Sequence, residues 1–434
     1  MADLVARLLA GDASLFEGDT ARHSLGWLDH AQRYLGDWLD AAQRHLPRRH
    51  ERTILLGMGG SSSPARFYAE GRDANLTVLD SSNPDTVAST EFAHATVIAS
   101  SKSGTTIETQ TLLAHALAED LQPEDLVIVT DPGTSLAELG TSIGALVVEG
   151  DPKTGGRFSG LSPFGLVPAL YAGWTPDELR AEFSEARPTR EGVEAAWAAA
   201  EEIATIGASL LTLDLGGDPI VSGGALWLEQ LIAETTGKSG RGVVPLSGSG
   251  ARRTPSQMPH WHLVAALCAR DLGVDPFDQP DVESAKRSVF ARLSTGVVDP
   301  VEPVVASAAA RALEDAAYVA LQVFAPLEAG PAVSRLRDEL ASSGSAVTAN
   351  LGPRYLHSTG QLHKGGPEGV LCVQVLVRPR SAPRRIQGRH YSFHDLHRVQ
   401  ADADAAAVRA LGRRVIRLEV EDLDEAAGIV RRPT

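Results

Sequence analysis

Short apolar, β-branched runs recur along the chain, each followed by a turn and a stretch long enough for a helix. They lie at 53–56 (TILL), 76–79 (LTVL), 96–99 (TVIA), 126–130 (LVIVT) and 145–148 (ALVV). An apolar run without alternation fits a strand covered on both faces. Strand and helix in regular succession lead to a parallel, doubly wound sheet with helices on both faces. A second set follows at 219–222 (PIVS), 243–246 (VVPL), 318–324 (YVALQVF), 370–377 (VLCVQVLV) and 415–420 (VIRLEV). The sequence therefore predicts an α/β chain with two sheet domains, spanning 51–195 and 196–434, the latter with a C-terminal extension. A helical segment over 1–50 precedes them, and a charged, Ala-rich helical link runs from 175 to 210. The Ala-rich piece 306–312 is also a good helix former.

In open parallel sheets, ligands bind beyond the carboxyl ends of strands. Two donor-rich turns fall there. One is 57–63 (GMGGSSS), whose glycines permit close backbone approach and whose serines offer donors. The other is 100–109 (SSKSGTTIET), between the strand TVIA and a helix over 109–117 carrying Leu112, Leu113 and Leu117. A helix N-terminus presents unpaired N–H groups, and an anion fits them. Ser101, Ser103, Thr105, Thr106 and Thr109 add hydroxyls, and Lys102 adds charge if it turns inward. A phosphate cradle is the expectation; an ordinary Ser/Thr cap is the alternative. The turn GMGGSSS lacks the lysine and spacing of a P-loop and the GxGxxG fingerprint.

Charge narrows the partners. At a net charge of −15 the chain is unsuited to wrapping nucleic acid or lying on an acidic membrane. Cys268 and Cys372 sit in apolar sequence without metal-ligand spacing, as buried thiols in a reducing compartment do. The N-terminus reads as neither a signal peptide nor a membrane span, so a cytoplasmic location is expected.

GMGGSSS followed by SKSGTTIET resembles the sugar isomerase domains of glucose-6-phosphate isomerases. Further likenesses run in order: 155–165 (GGRFSGLSPFG), 227–238 (WLEQLIAETTGK) and 277–286 (FDQPDVESAK), the last similar to a QPxVExxK motif. The segment 359–367 (TGQLHKGGP) is similar to the isomerase portion of bacterial transaldolase/isomerase fusions. The resemblance spans 50 to 390, and no transaldolase portion is expected.

The resemblance implies reversible isomerisation of glucose 6-phosphate and fructose 6-phosphate, with no metal and no redox cofactor. A homodimer is the family's common assembly. Such chemistry needs a phosphate clamp, a base between adjacent carbons, a cation near the enediolate and an acid/base pair to open the ring. The clamp would be Ser101, Ser103, Thr106 and Thr109, joined by Gly60 and Ser61. Glu234 would be the base. It follows Leu231, Ile232 and Ala233, which could partly desolvate it. Glu229, five residues earlier, falls on another helix face. Arg157 would be the cation, Lys286 would donate or relay a proton in ring opening, and Gln279 would bind substrate. The histidine departs from the family pattern: 256–271 reads SQMPHWHLVAALCARD, with Met258 where a histidine is expected. His357, in 356–365 (LHSTGQLHKG), is the first choice, His363 the second, and His260 and His262 lie nearby. His357 could be supplied by either chain of a dimer. His390, His394 and His397 have spacings of four and three, which read as a helix face rather than a metal site. A non-catalytic sugar-phosphate sensor would keep the cradle but not need Glu234, Arg157 and Lys286. Selectivity toward mannose 6-phosphate is left open.

Overall fold

The computed structural model describes residues 2–205, 210–281 and 316–430, with 289, 292, 293, 312 and 313 between them. Lys286 and most of 306–312 lie outside the described residues.

Five strands form the first sheet: β1 (Arg52–Gly57), β2 (Leu76–Leu79), β3 (Ala95–Ser100), β4 (Leu126–Thr130) and β5 (Leu146–Glu149). Their order is β2-β1-β3-β4-β5 and every pairing is parallel. Adjacent residues of β1 show why both faces are covered. Leu55 packs with Tyr68, Leu166 and Leu170 in one cluster. Ile54 and Leu56 pack with Leu112, Leu113 and Ala116 in another. Each fully buried leucine contributes roughly 2 kcal/mol. The chain leaves β1 toward β2 on one side, while β3 flanks it on the other. The strand order thus reverses between β1 and β3, and GMGGSSS and SSKSGTTIET flank the resulting crevice.

The remaining strands are β6 (Leu211–Asp214), β7 (Val243–Leu246), β8 (Tyr318–Phe324), β9 (Ala346–Leu351), β10 (Val370–Val377) and β11 (Arg414–Val420). A parallel four-stranded sheet has the order β11-β10-β8-β9, and β6 pairs with β7 in a parallel pair. Val319, Leu321 and Val373 pack on the helices Gly330–Ala341 and Leu423–Val430. The opposite face buries Ala320 and Cys372 against Ala233, Leu362 and Val408. The described residues are thus α/β, with parallel sheets and helices on both faces.

Two sequence expectations fail here. The run PIVS is no strand: Val221 is 67% exposed, and the Ser222 side chain caps the helix Gly223–Thr236 by accepting from Ala225 N. The strand of that region is β6 instead. The strand β9 (AVTANL) was not expected at all. The link region does form helices, Pro176–Glu182 and Arg190–Thr205. Among the described residues no helix is long and apolar enough to cross a membrane.

The loop after β2 and the helix Pro84–Ser89 that follows it tie the two halves together. Asp80 receives paired hydrogen bonds from Arg66 (2.8 and 3.0 Å) and from Arg354 (2.8 and 2.9 Å). The Thr86 hydroxyl accepts from Leu327 N, and the Asp85 carboxylate accepts from Arg380 N and Ser381 N. The N-terminal segment docks by stacking Trp27 on Phe158 at 5.3 Å and by joining His30 to Asp151 at 3.1 Å.

Candidate active site

Glu234 occupies the last turn of the helix Gly223–Thr236, which is buried along its whole length. Gly237 ends that helix where a Cβ would lie 2.6 Å from Ala233 O and from Leu362 Cα, so the close approach requires glycine. The Glu234 carboxylate is buried and lies 3.5 Å from Arg157 Nη1 and 3.3 Å from Gln230 Nε2. Arg157, also buried, donates from Nε to Thr235 Oγ1 and from Nη2 to the carbonyls of Pro276 and Asp278. Burial pulls its guanidinium below the usual arginine range, and Glu234 opposes that pull. The arginine therefore both holds a loop by its carbonyls and places a cation beside a carboxylate.

Gly60 packs against this pair. A Cβ there would stand 2.1 Å from Gly156 O and 2.9 Å from Arg157 N. Gly59, at φ +55°, faces His357 O and Gln230 Nε2 in the same way, at 2.7 and 2.9 Å. The turn GMGGSSS thus sits between Arg157, Gln230 and His357. Ser61 is buried within it, and Ser63 Oγ donates to Gln230 Oε1 at 2.8 Å.

His357 reaches the first half of the same chain. Its Nε2 lies 2.9 Å from Glu108 Oε1, and Glu108 is buried in the first turn of the helix Ile107–Ala118. The cradle precedes that turn. Ser101 Oγ donates to Thr106 Oγ1 at 2.9 Å, Ser103 is exposed, and Gly104 turns the backbone at φ +67°. The Thr109 hydroxyl is buried with no hydrogen-bond partner among the described residues. Lys102 does not turn into the cradle: its ammonium pairs with Asp131 and donates to Asp151 O at 3.0 Å. Gln279 is half-buried, next to the Asp278 carbonyl that Arg157 binds.

The other histidines lie elsewhere. His363 faces Gln322 at 3.0 Å and packs against Tyr355, and burial holds its imidazole well below the usual range. His262 sits among Trp27, Phe158 and Trp227, and burial lowers it to about 3. His260 is beside Trp261. His390 and His394 meet the carbonyls of Leu293 and Ser381, and His397 meets Asn83.

Glu229 takes a structural place: its Oε2 accepts from Asn350 at 2.6 Å, and burial raises its pKa from 4.5 to about 8. Between those values the folded chain keeps a proton that the unfolded chain has lost, so stability falls as pH rises through this window. Glu229→Gln removes the titration. Its melting temperature relative to the wild type should climb from pH 5 to pH 8, by several degrees in a thermal-shift series; an unchanged difference would show that Glu229 is ionised in the fold.

Glu108 was missed by sequence reasoning, although it lies inside the singled-out stretch. The only signal was an acidic residue in a hydroxyl-rich turn, and helix N-termini favour acidic residues anyway.

No protein-family model matches the chain. A glucose-6-phosphate isomerase of Rubrobacter xylanophilus is 33% identical over 226 residues, 47% of this chain and 49% of that protein. A probable glucose-6-phosphate isomerase of Haloarcula marismortui is 31% identical over 233 residues, 48% of this chain and 52% of that protein. The matches span about half the length of these relatives. Among solved structures, a putative phosphosugar isomerase from Silicibacter pomeroyi covers 89% of this chain and 95% of its own. It is 14% identical at a TM-score of 0.37, too loose a likeness to argue from. By sequence, about half of this chain is similar to glucose-6-phosphate isomerases.

Proposed function

We propose that the chain is a sugar-phosphate isomerase interconverting glucose 6-phosphate and fructose 6-phosphate. The observation that carries this reading is the juxtaposition of two acid/base units. Arg157–Glu234 and His357–Glu108 are joined through Gly59 and Gln230 at the mouth of the first sheet. The relatives' names support the substrate.

In this reading the cradle at Ser101, Ser103, Thr106 and Thr109 holds the phosphate, with Gly60 and Ser61 beside it. His357, paired with Glu108, moves the proton that opens the ring. Glu234 removes the C2 proton of the open aldose and returns it at C1 through a cis-enediol. Arg157 stabilises the negative charge developing on the enediolate oxygens. Lys286 is a candidate proton donor in ring opening, and Gln279 a candidate contact to the substrate. The two sheet domains correspond to 51–195 and 196–434, and the working form is a homodimer. Because His357 meets Glu108 within one chain, that assembly need not lend a histidine across its interface.

The test is conversion of fructose 6-phosphate by purified protein, followed through coupled oxidation of the glucose 6-phosphate formed. Turnover is expected. No turnover, with fructose 6-phosphate still raising the melting temperature, would turn the assignment to a sensor.

A further inference from the structure

The helix Phe393–Ala410 reaches into the site from the far end of the chain. Its Gln400 is 1% exposed. Gln400 Nε2 donates to Glu108 Oε1 at 2.6 Å, and Gln400 Oε1 accepts from Ser82 Oγ, also at 2.6 Å. Ser82 is itself fully buried, in the loop after β2. The carboxylate fixes which way the amide points. A flipped amide would set its carbonyl oxygen against a carboxylate oxygen at 2.6 Å, two acceptors with no proton between them. Ser82 then satisfies the remaining amide oxygen.

We propose that Gln400 is a positioning residue for the ring-opening pair, holding Glu108 ionised and aimed at His357 Nε2. This rests on the isomerase reading above. The same Oε1 lies against the donors of both Gln400 and His357, so the amide stabilises the charged form and fixes the carboxylate rotamer. With Nε2 donating to Glu108, the proton-accepting nitrogen of a neutral His357 is Nδ1. His357 and Gln400 face Glu108, and the Tyr391 phenol lies within reach of its charge. Burial raises Tyr391, and Glu108 adds to the rise.

Two variants test the assignment. Gln400→Leu loses the donor and should lower kcat for fructose 6-phosphate about 10- to 100-fold at every pH, the scale of a misplaced catalytic group. Gln400→Glu should behave differently. While the two facing carboxyls share one proton, the protonated member donates to the other and replaces the amide. Activity should then be partly rescued at acid pH and fall as the pair loses its last proton. A purely structural role predicts equal loss at all pH values.

Proton NMR supplies a readout that needs no turnover. The His357 Nε2–H, assigned by its disappearance in His357→Gln, should give a slowly exchanging downfield signal in the wild type and a broadened one in Gln400→Leu. Wild-type activity retained by Gln400→Leu, or an unchanged Nε2–H signal, would overturn the proposal. An inactive wild type would sink the isomerase reading alone, because the NMR comparison still decides the role of Gln400.

Discussion

Glu234→Gln is expected to lower kcat for fructose 6-phosphate by about 10²-fold or more, the usual contribution of a positioned general base. The substitution preserves shape. The side chain keeps an oxygen that can accept from Arg157 Nη1 and Gln230 Nε2, so both neighbours retain a partner. Arg157 also keeps Thr235 Oγ1 and the carbonyls of Pro276 and Asp278. The variant should therefore fold and bind fructose 6-phosphate, while the amide cannot carry a proton between C2 and C1. Steady-state kinetics beside a thermal melt separate the two effects. A KM near the wild-type value with a collapsed kcat supports the assignment. Equal turnover in both proteins would mean that another group moves the proton.

The second large effect falls on stability. Asp80→Asn removes the negative charge that two arginines bind in paired geometry. Arg354 is 4% exposed and cannot turn to water. Its guanidinium would remain buried facing an amide, and breaking such a pair costs about 3–5 kcal/mol. The midpoint of urea unfolding should drop accordingly. The native carboxyl has its own pH signature. The two arginines hold Asp80 well below the usual carboxylate range against the opposing effect of burial. Its contribution is thus complete above the unfolded value near 3.9 and is lost as pH falls toward the lower folded value. Asp80→Asn should flatten the acid limb of the stability curve. A midpoint shift worth less than about 0.5 kcal/mol, the size of a surface substitution, would refute the account. Because Arg354 stands three residues before His357, partial loss of activity should accompany loss of stability.

The strands that could be read from sequence were those whose residues are apolar and buried on both faces, such as LVIVT and VLCVQVLV. The strand β9 escaped because Thr348 and Asn350 interrupt its apolar pattern. Both are buried and paired in the fold, with Tyr318 OH and with Glu229. Their partners lie on other elements, so no local pattern announces them. PIVS misled for the opposite reason, since Ile220 and Val221 carry a strand's composition at a helix entry. Within the site, Glu234 and Arg157 came from family likeness, and the structure brings them together. Glu108 needed the third dimension. Its partners His357 and Gln400 are 249 and 292 residues away in sequence. His357, ranked ahead of His363 from sequence, lies beside a carboxylate, whereas His363, six residues on, packs against two tyrosines.

The tie between Glu108 and His357 has a temporal side. During synthesis the chain emerges N-terminus first, and domains fold as they emerge. The cradle and Glu108 are made early, with the first sheet. His357 arrives about 250 residues later and Gln400 later still, which at 5–20 residues per second is a delay of roughly 10–50 seconds. A nascent first sheet therefore holds its donor-rich turns and Glu108 well before His357 and Gln400 reach them.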